Sequence, residues 1–116
     1  MENFSVEFYE MASGECPAKE FIKTQGAKMR AKIYRVMSLL KAEGINLRMP
    51  HSEHLEDGIF QLRAQVGNDI TRMLYFFFIG QKIIVTNGFV KKTRDTPPVE
   101  IELAKKYRAD YLNRRK

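Results

Sequence analysis

The stretch "QLRAQVGNDITRMLYFFFIGQKIIVTNGFVKK", residues 61–92, decides the fold because it carries two short turn signals between apolar runs. In both Gly67-Asn68 and Gly80-Gln81, glycine stands at the first central position of a two-residue loop, which suits a type II′ hairpin turn. The stretch therefore predicts three consecutive antiparallel strands.

The first turn brings two arginines together. If its loop has two residues, Val66 pairs with Asp69, and counting outward places Arg63 directly opposite Arg72 on one face of the sheet. Like charges at such positions are destabilising, within the ~0.2–1 kcal/mol range of cross-strand pairs. An anion held between the two side chains would compensate, and the planar fork of arginine matches a phosphodiester.

The second turn adds a third strand to this face. If Gly80-Gln81 is a two-residue loop, Arg72 lies opposite Phe89, and Lys91 returns to the same face two residues later. Three cations and an aromatic ring then converge from three strands. The opposite face is apolar and predicts a core that receives a long helix; it carries Phe60, Leu62, Ala64, Val66, Met73, Tyr75 and Phe77.

An alternative for the two arginines stays open, since a carboxylate of Glu56, Asp57 or Asp69 could pair with each of them. The aromatic rings also have two interpretations. Phe89 or Tyr75 could stack on a splayed RNA base, or either ring could belong to the core.

The remaining elements follow from periodicity and caps. Alternation in "NFSVEFYE" predicts a first strand, and helical spacing predicts helices over Pro17–Gln25 and Ala27–Glu43. Thr96 followed by two prolines predicts an N-cap and the start of a last helix that reaches about Asn113, with an apolar stripe of Val99, Leu103, Tyr107 and Tyr111.

Two further features have a structural and a functional interpretation. Lys28, Lys32 and Arg35 share one stripe of the long helix, either as a solvated basic face or as an anion-binding flank. The segment 45–58 reads as a loop that holds His51 and His54, whose roles stay open. No motif supports a metal site there.

The totals limit the class of protein. A chain of 116 residues fits one domain, and a net charge of +6 favours a polyanion or an acidic protein as partner. The lone Cys16, the missing signal sequence and the missing apolar span favour a cytoplasmic protein.

The chemistry implied by these residues is electrostatic. The sequence shows no Ser-His-Asp set, no paired carboxylates and no phosphate-binding glycine loop, so the residues that most hydrolases, glycosidases and NTPases require are missing. We expect neither a cofactor nor a metal. RNA scission needs only that the 2′-OH be aligned with the adjacent phosphate and that developing charge be stabilised. Lys91 or Lys92 is a candidate general base or acid.

The segments "GIFQLR", "TRMLYFF", "IIVTNGFVKKTRDTPP" and "EIELAKKYRADY", within residues 55–112, resemble the RelE/ParE toxin superfamily. Within it, the chain is most similar to phage Gp49-like or HigB-type toxins. The resemblance implies an α/β (α+β) fold in which an N-terminal strand and two helices pack on a twisted antiparallel sheet, followed by a C-terminal helix.

The resemblance also implies a function and its residues. Members are typically the toxins of type II toxin–antitoxin systems, acting as ribosome-dependent mRNA endonucleases. The family's strand arginines correspond to Arg63 and Arg72, and its basic residues after the last strand to Lys91 and Lys92. Better-known members often have a tyrosine or histidine near the chain end; here that neighbourhood offers Thr93 and Arg94, so the proton-transfer residue stays open. We expect RNA binding by Phe89, Thr93, Arg94, Lys28, Lys32 and Arg35.

The expected partners are mRNA on the ribosome and a HigA-like antitoxin encoded in an adjacent gene, which would form a hetero-oligomer with this chain. A basic face suits an acidic antitoxin surface. Two alternatives remain: a ParE-like toxin that inhibits gyrase without catalysis, and a phage-derived module that binds nucleic acid without cleaving it.

Overall fold

A computed structural model describes residues 4–115. Its elements, in chain order, are β1 (Ser5–Phe8), α1 (Pro17–Lys23), α2 (Ala27–Glu43), a 3₁₀ turn (Gly44–Asn46), β2 (Ser52–Glu56), β3 (Ile59–Val66), β4 (Asp69–Phe78), β5 (Lys82–Val90) and α3 (Pro98–Asn113). Asn3 of the predicted first strand and Lys116 of the tail lie outside the described residues.

The strands form one five-stranded sheet in the order β1-β5-β4-β3-β2. Strands β2, β3, β4 and β5 pair with one another in antiparallel orientation, whereas β1 runs parallel to β5 at the edge. Three helices accompany the sheet. The predicted α+β class is confirmed, and the arrangement fits a RelE-like fold.

The register of β3 and β4 is as predicted. Val66 pairs with Asp69, so the loop Gly67-Asn68 has two residues, and Arg63 stands opposite Arg72. Gly67 has a φ of 61°, as the first central position of a type II′ turn requires.

The register of β4 and β5 agrees with the prediction at Arg72 and Phe89, but not for the predicted reason. The turn has three residues instead of two, because Lys82 pairs with Phe78 and not with Ile79. A β-bulge at Thr86 then adds one residue to β5 and restores the expected alignment. The prediction of a two-residue loop at Gly80-Gln81 was therefore wrong. The longer turn and the bulge shift the register in opposite directions, so Arg72 still pairs with Phe89.

The predicted loop over residues 45–58 was also wrong, since Ser52–Glu56 is a strand that pairs with β3. Its hairpin turn is Asp57-Gly58, where both residues have positive φ, 49° and 76°. This is the type I′ geometry that an Asp-Gly pair favours. His54 therefore lies on a strand, and His51 immediately precedes it.

Helices α1 and α2 cover one face of the sheet. The bounds of α2 are as predicted, and α1 ends at Lys23, two residues before the predicted end. Gly88 of β5 permits close packing, because a Cβ atom there would lie 2.4 Å from Met73 Sδ and 2.6 Å from Phe21 Cδ2. This core contains Ala18, Ile22, Met29, Ile33, Val36, Met37, Leu40, Leu47, Leu62, Ala64, Met73, Tyr75, Ile83 and Val85.

Helix α3 covers part of the other face. The buried residues there are Tyr9, Ile59, Leu74, Phe76, Ile84, Phe89, Ala104 and Tyr111. Two predictions about this helix were wrong. Its N-cap is Pro97, without a side-chain cap, so Thr96 is free to bond elsewhere, and Val99 of the predicted apolar stripe is 69% exposed. Within the described part of the chain, no helix is long and apolar enough to span a bilayer.

Candidate active site

Helix α3 covers only part of its face of the sheet. A cavity of about 300 Å³ lies beside the uncovered, polar end of that face. The predicted convergence of cations is confirmed there, because Arg63, Arg72 and Lys91 line this cavity from β3, β4 and the residue after β5. We call this cavity the cleft. Its other lining residues are Met49, Pro50, His51, Ser52, Glu53 and Gln61.

Backbone hydrogen bonds fix the cleft walls. Arg63 N–H donates to the His51 carbonyl at 2.8 Å, which attaches the segment before β2 to the β3 strand. Lys91 N–H donates to the Ile70 carbonyl at 2.8 Å, so the pairing of β4 and β5 continues to the first lysine after the strand. Both cationic side chains therefore project from ordered backbone.

The cleft cations have no carboxylate partner. None of the ion pairs within residues 4–115 includes Arg63, Arg72 or Lys91. Two of the carboxylates that the alternative interpretation assigned to the arginines bind cations of α3 instead: Glu56 binds Lys105 and Asp57 binds Arg108. That alternative is therefore wrong, and the positive charge of the cleft is available to a ligand.

Arg72 is the most constrained of these cations. Its Nη1 donates to Gln61 Oε1 at 3.3 Å and to Thr96 Oγ1 at 3.4 Å, whereas its buried Nε has no hydrogen-bond partner in the described structure. Burial lowers the pKa of Arg72 and the nearby Arg63 lowers it further, whereas the carboxylates of Glu53 and Asp95 act in the opposite direction. A partly desolvated guanidinium that lines a cleft is suited to bind an anion.

Gln61 holds the polar end of the face together, and sequence analysis did not identify it. This buried amide accepts a hydrogen bond from Thr96 Oγ1 at 2.5 Å and donates one from Nε2 to Glu53 Oε1 at 3.0 Å. Thr96 thus ties the segment before α3 to the sheet. Gln61 precedes Arg63 by two residues and shares its face, a signal that strand alternation provides.

A second cavity, of about 370 Å³, adjoins the cleft. It shares Pro50, His51 and Arg63 with the cleft and adds Lys32 of α2. Arg35 lines a third concavity that also contains Lys32 and His51. Two residues of the predicted basic stripe therefore flank the cleft, whereas Lys28 lines a separate cavity with Val66 and Val90.

A comparison with protein families identifies the group. A model described as phage derived protein Gp49-like (DUF891) matches residues 20–109, more than three quarters of the chain. The chain belongs to the Gp49-like family. This is a family of RelE/HigB-like toxins, which confirms the resemblance seen in the sequence. A search of the curated proteins found no match.

The matched Gp49-like region contains all the cleft residues, but not every predicted site residue lies in the cleft. Lys92, Thr93 and Arg94 are exposed beyond β5 and do not line it. Thr93 Oγ1 donates to the Asp95 carbonyl at 2.9 Å, which shapes this connection. Contact of the three residues with RNA stays a prediction.

The two aromatic rings considered for base stacking are core residues in this Gp49-like chain. Phe89 is only 8% exposed and packs in the core beneath α3. Tyr75 is 1% exposed, lies on the α1 and α2 face, and shares a 2.5 Å hydrogen bond with Ser52 Oγ. Neither ring presents a free face, so the structure contradicts stacking on RNA by Phe89.

Proposed function

We propose that this chain is the toxin of a type II toxin–antitoxin system and that it cleaves mRNA on the ribosome. Membership of the Gp49-like family makes it a toxin-like module of phage origin. One observation carries the finer proposal: Arg63, Arg72 and Lys91 line a single cleft without carboxylate partners. Such a cleft has the electrostatics that a scissile phosphate requires.

The proposed reaction uses the substrate's own 2′-OH as nucleophile. Its oxygen attacks the adjacent phosphorus, the bond to the 5′-oxygen breaks, and the products carry a 2′,3′-cyclic phosphate and a 5′-OH. Arg63 and Arg72 bind the non-bridging oxygens and stabilise the charge that develops on them. Lys91 supplies a proton to the departing 5′-oxygen.

The positively charged residues around the cleft extend the proposed RNA path. Lys32 and Arg35 adjoin it through the cavities they share with His51, and Lys92 and Arg94 follow Lys91 in sequence. We propose that these side chains bind flanking phosphates, where contacts contribute affinity that weakens as salt concentration rises. The ribosome would then set the register of the cut.

The proposed partners follow from the same charge distribution. A cognate antitoxin with an acidic surface would compete with mRNA for the basic face, and the complex would be a hetero-oligomer. The site of action is the cytoplasm, where mRNA occupies ribosomes. A lack of competition between antitoxin and RNA would contradict this part of the proposal.

Inducing the protein in cells and mapping mRNA 5′ ends together with DNA breaks tests the proposal. We expect cuts in phase with codons that leave 5′-OH ends, and their loss in Arg72→Ala and Lys91→Ala. Lys19→Ala is the matched control, because Lys19 is an exposed lysine of α1 that does not line the cleft.

Each other outcome contradicts the proposal in a defined way. DNA breaks without codon-phased mRNA ends would indicate a gyrase inhibitor. The absence of both DNA breaks and codon-phased mRNA ends would indicate a module that binds nucleic acid without cleaving it. Cuts that persist in both cleft variants would separate the activity from this site.

A further inference from the structure

His51 lies where the two neighbouring cavities meet. The cleft and the second cavity each include His51, Pro50 and Arg63 in their walls, with Lys91 only in the first and Lys32 only in the second. Volumes of about 300 and 370 Å³ are each in the range that holds a small ligand group. We propose that His51 is the general base that removes the proton from the attacking 2′-OH. This inference rests on the proposed function.

The placement of the two cavities supports this role. An RNA segment that fills both has one nucleotide in each, and the phosphate joining them then lies beside Arg63. The 2′-OH that attacks this phosphate belongs to the nucleotide on its 5′ side, so it lies at the same junction. His51 forms the junction wall, and its backbone carbonyl is bound by Arg63 N–H. This backbone hydrogen bond therefore holds His51 close to Arg63, beside which the phosphate would lie.

The proton balance assigns complementary tasks to two residues. The imidazole accepts the 2′-OH proton as the oxygen–phosphorus bond forms, and Lys91 donates a proton to the 5′-oxygen as its bond to phosphorus breaks. No oxidant, metal or water takes part in this step. Imidazole is the side chain that most often transfers protons in enzymes.

The charged groups that share cavities with His51 come from every neighbouring element. They are Lys32 and Arg35 of α2, Glu53 of β2, Arg63 of β3, Arg72 of β4 and Lys91. Only Glu53 among them is a rival base in its ionised form. Its carboxylate accepts a hydrogen bond from Gln61 and lies near Arg72, an arrangement that serves to hold Gln61 and Arg72 in place.

The chain supplies a matched control three residues later. His54 belongs to β2, its Nε2 accepts a hydrogen bond from Gly58 N–H at 3.2 Å, and its ring meets Phe60 edge to face. It lines neither of the two cavities that meet at His51. Loss of His54 therefore removes the same side chain without touching the proposed site.

The test is single-turnover cleavage of a short mRNA on programmed ribosomes, measured from pH 5 to 9. For His51→Gln we expect a fall of about 10²–10⁴-fold, the usual contribution of general base catalysis, together with loss of the rise in rate at acidic pH. His54→Gln should retain rate and pH profile. Added imidazole should restore part of the activity of His51→Ala, and ribosome binding should stay unchanged in both His51 variants.

A substrate with sulfur in place of the bridging 5′-oxygen distinguishes the role of the general base from that of the general acid. A thiolate leaves without protonation, so this substrate should rescue Lys91→Ala and not His51→Gln. Rescue of His51→Gln would overturn the assignment, as would a rate equal to that of His54→Gln, or loss of the acidic limb in Glu53→Gln instead. Wild-type protein that fails to cleave would refute both this inference and the proposed function.

Discussion

Two sets of cations lie on the side of the molecule where α3 meets the sheet, and they differ in whether carboxylates pair with them. At the helix-covered end, Lys105 and Arg108 reach carboxylates of the β2–β3 turn at 2.6 and 2.7 Å, and Arg114 binds Asp110 at 3.0 Å. At the open end, Arg63 and Arg72 form hydrogen bonds with the neutral side chains of Gln65, Gln61 and Thr96. The ion pairs of Lys105 and Arg108 attach α3 to the β2–β3 hairpin, whereas the pair of Arg114 with Asp110 lies at the C-terminal end of α3 itself. Arg63 and Arg72 form no ion pair among residues 4–115, so their charge is available to a ligand.

This contrast indicates that fold and function use the same residue types in separable places. Glu53 is a carboxylate of the cleft, but it accepts a hydrogen bond from Gln61 and forms no ion pair with either arginine among the described residues. The groups that bind the guanidiniums directly include the amides of Gln61 and Gln65, with Gln65 accepting from Arg63 at 2.7 Å, and an amide orients a guanidinium without neutralising its charge. Substitutions at the two ends should therefore affect different measurements.

Arg72→Ala should give the largest effect on activity. Removal of one charged donor from a developing oxyanion costs about 10²–10³ in rate, so we expect a fall of that size in mRNA cleavage. The free energy of unfolding should change by less than about 1 kcal/mol, because Arg72 forms no ion pair. Arg72→Lys keeps the charge without the planar fork and should be intermediate. A large loss of stability would contradict the separation of the two ends.

Gln61→Leu should give a smaller loss of activity through the position of Arg72. The variant has a similar volume but cannot accept the hydrogen bonds of Arg72 and Thr96. We expect about a tenfold fall in cleavage, equivalent to a lost hydrogen bond of about 1.5 kcal/mol to a charged group. The salt dependence of RNA binding should be unchanged, whereas Arg72→Ala should reduce its slope. Equal slopes in the two variants would refute a positioning role.

Tyr9→Phe should affect only stability, and its effect should depend on pH. Burial and the 2.5 Å hydrogen bond to Asp110 raise the pKa of Tyr9 to about 12 from its usual 10. The folded state thus favours protonated tyrosine, and this contribution is complete below pH 10 and lost as pH rises from about 10 to about 12. Urea unfolding at neutral pH should show wild type about 1 kcal/mol more stable. A difference that persists unchanged above pH 11 would contradict this account.

Arg108→Ala should give the smallest effect. Its ion pair with Asp57 lies at the surface, and exposed pairs contribute about 0.2–1 kcal/mol. We expect thermal unfolding at a slightly lower temperature with mRNA cleavage at the wild-type rate. Loss of cleavage in this variant, comparable with that of Arg72→Ala, would show that the covered end also takes part in the reaction.

The fold could be predicted where local signals were strong. The Gly67-Asn68 turn predicted the pairing of Arg63 with Arg72. The 3.6-residue period predicted α2, and the flanking Gly26 and Gly44 predicted its ends. The strand β2 was missed because its few alternating residues were outweighed by the polar composition of the segment. The Asp57-Gly58 pair was the available signal for that hairpin.

The site could be predicted only in part, because several of its residues are placed by tertiary contacts. His51 reaches the cleft through the pairing of β2 with β3, and Thr96 through its bond to Gln61 instead of a cap. Phe89 faces the predicted side of the sheet, yet α3 packs over that side and buries its ring. Strand alternation gives the face of a residue, but not what covers it.

The bulge at Thr86 determines which side chains of β5 face the cleft. One extra residue reverses the alternation of every later side chain in β5, which is why Asn87 reaches Glu100 of α3 and Gly88 receives Phe21 of α1. Deletion of Thr86 would remove the bulge and still pair Leu74 with Asn87, so Lys91 would keep its place beside Arg72. Deletion of one residue between Gly88 and Val90 would instead turn Lys91 to the other face of the sheet. The number of residues in β5 after the bulge, as well as their identity, therefore determines whether Lys91 reaches the cleft.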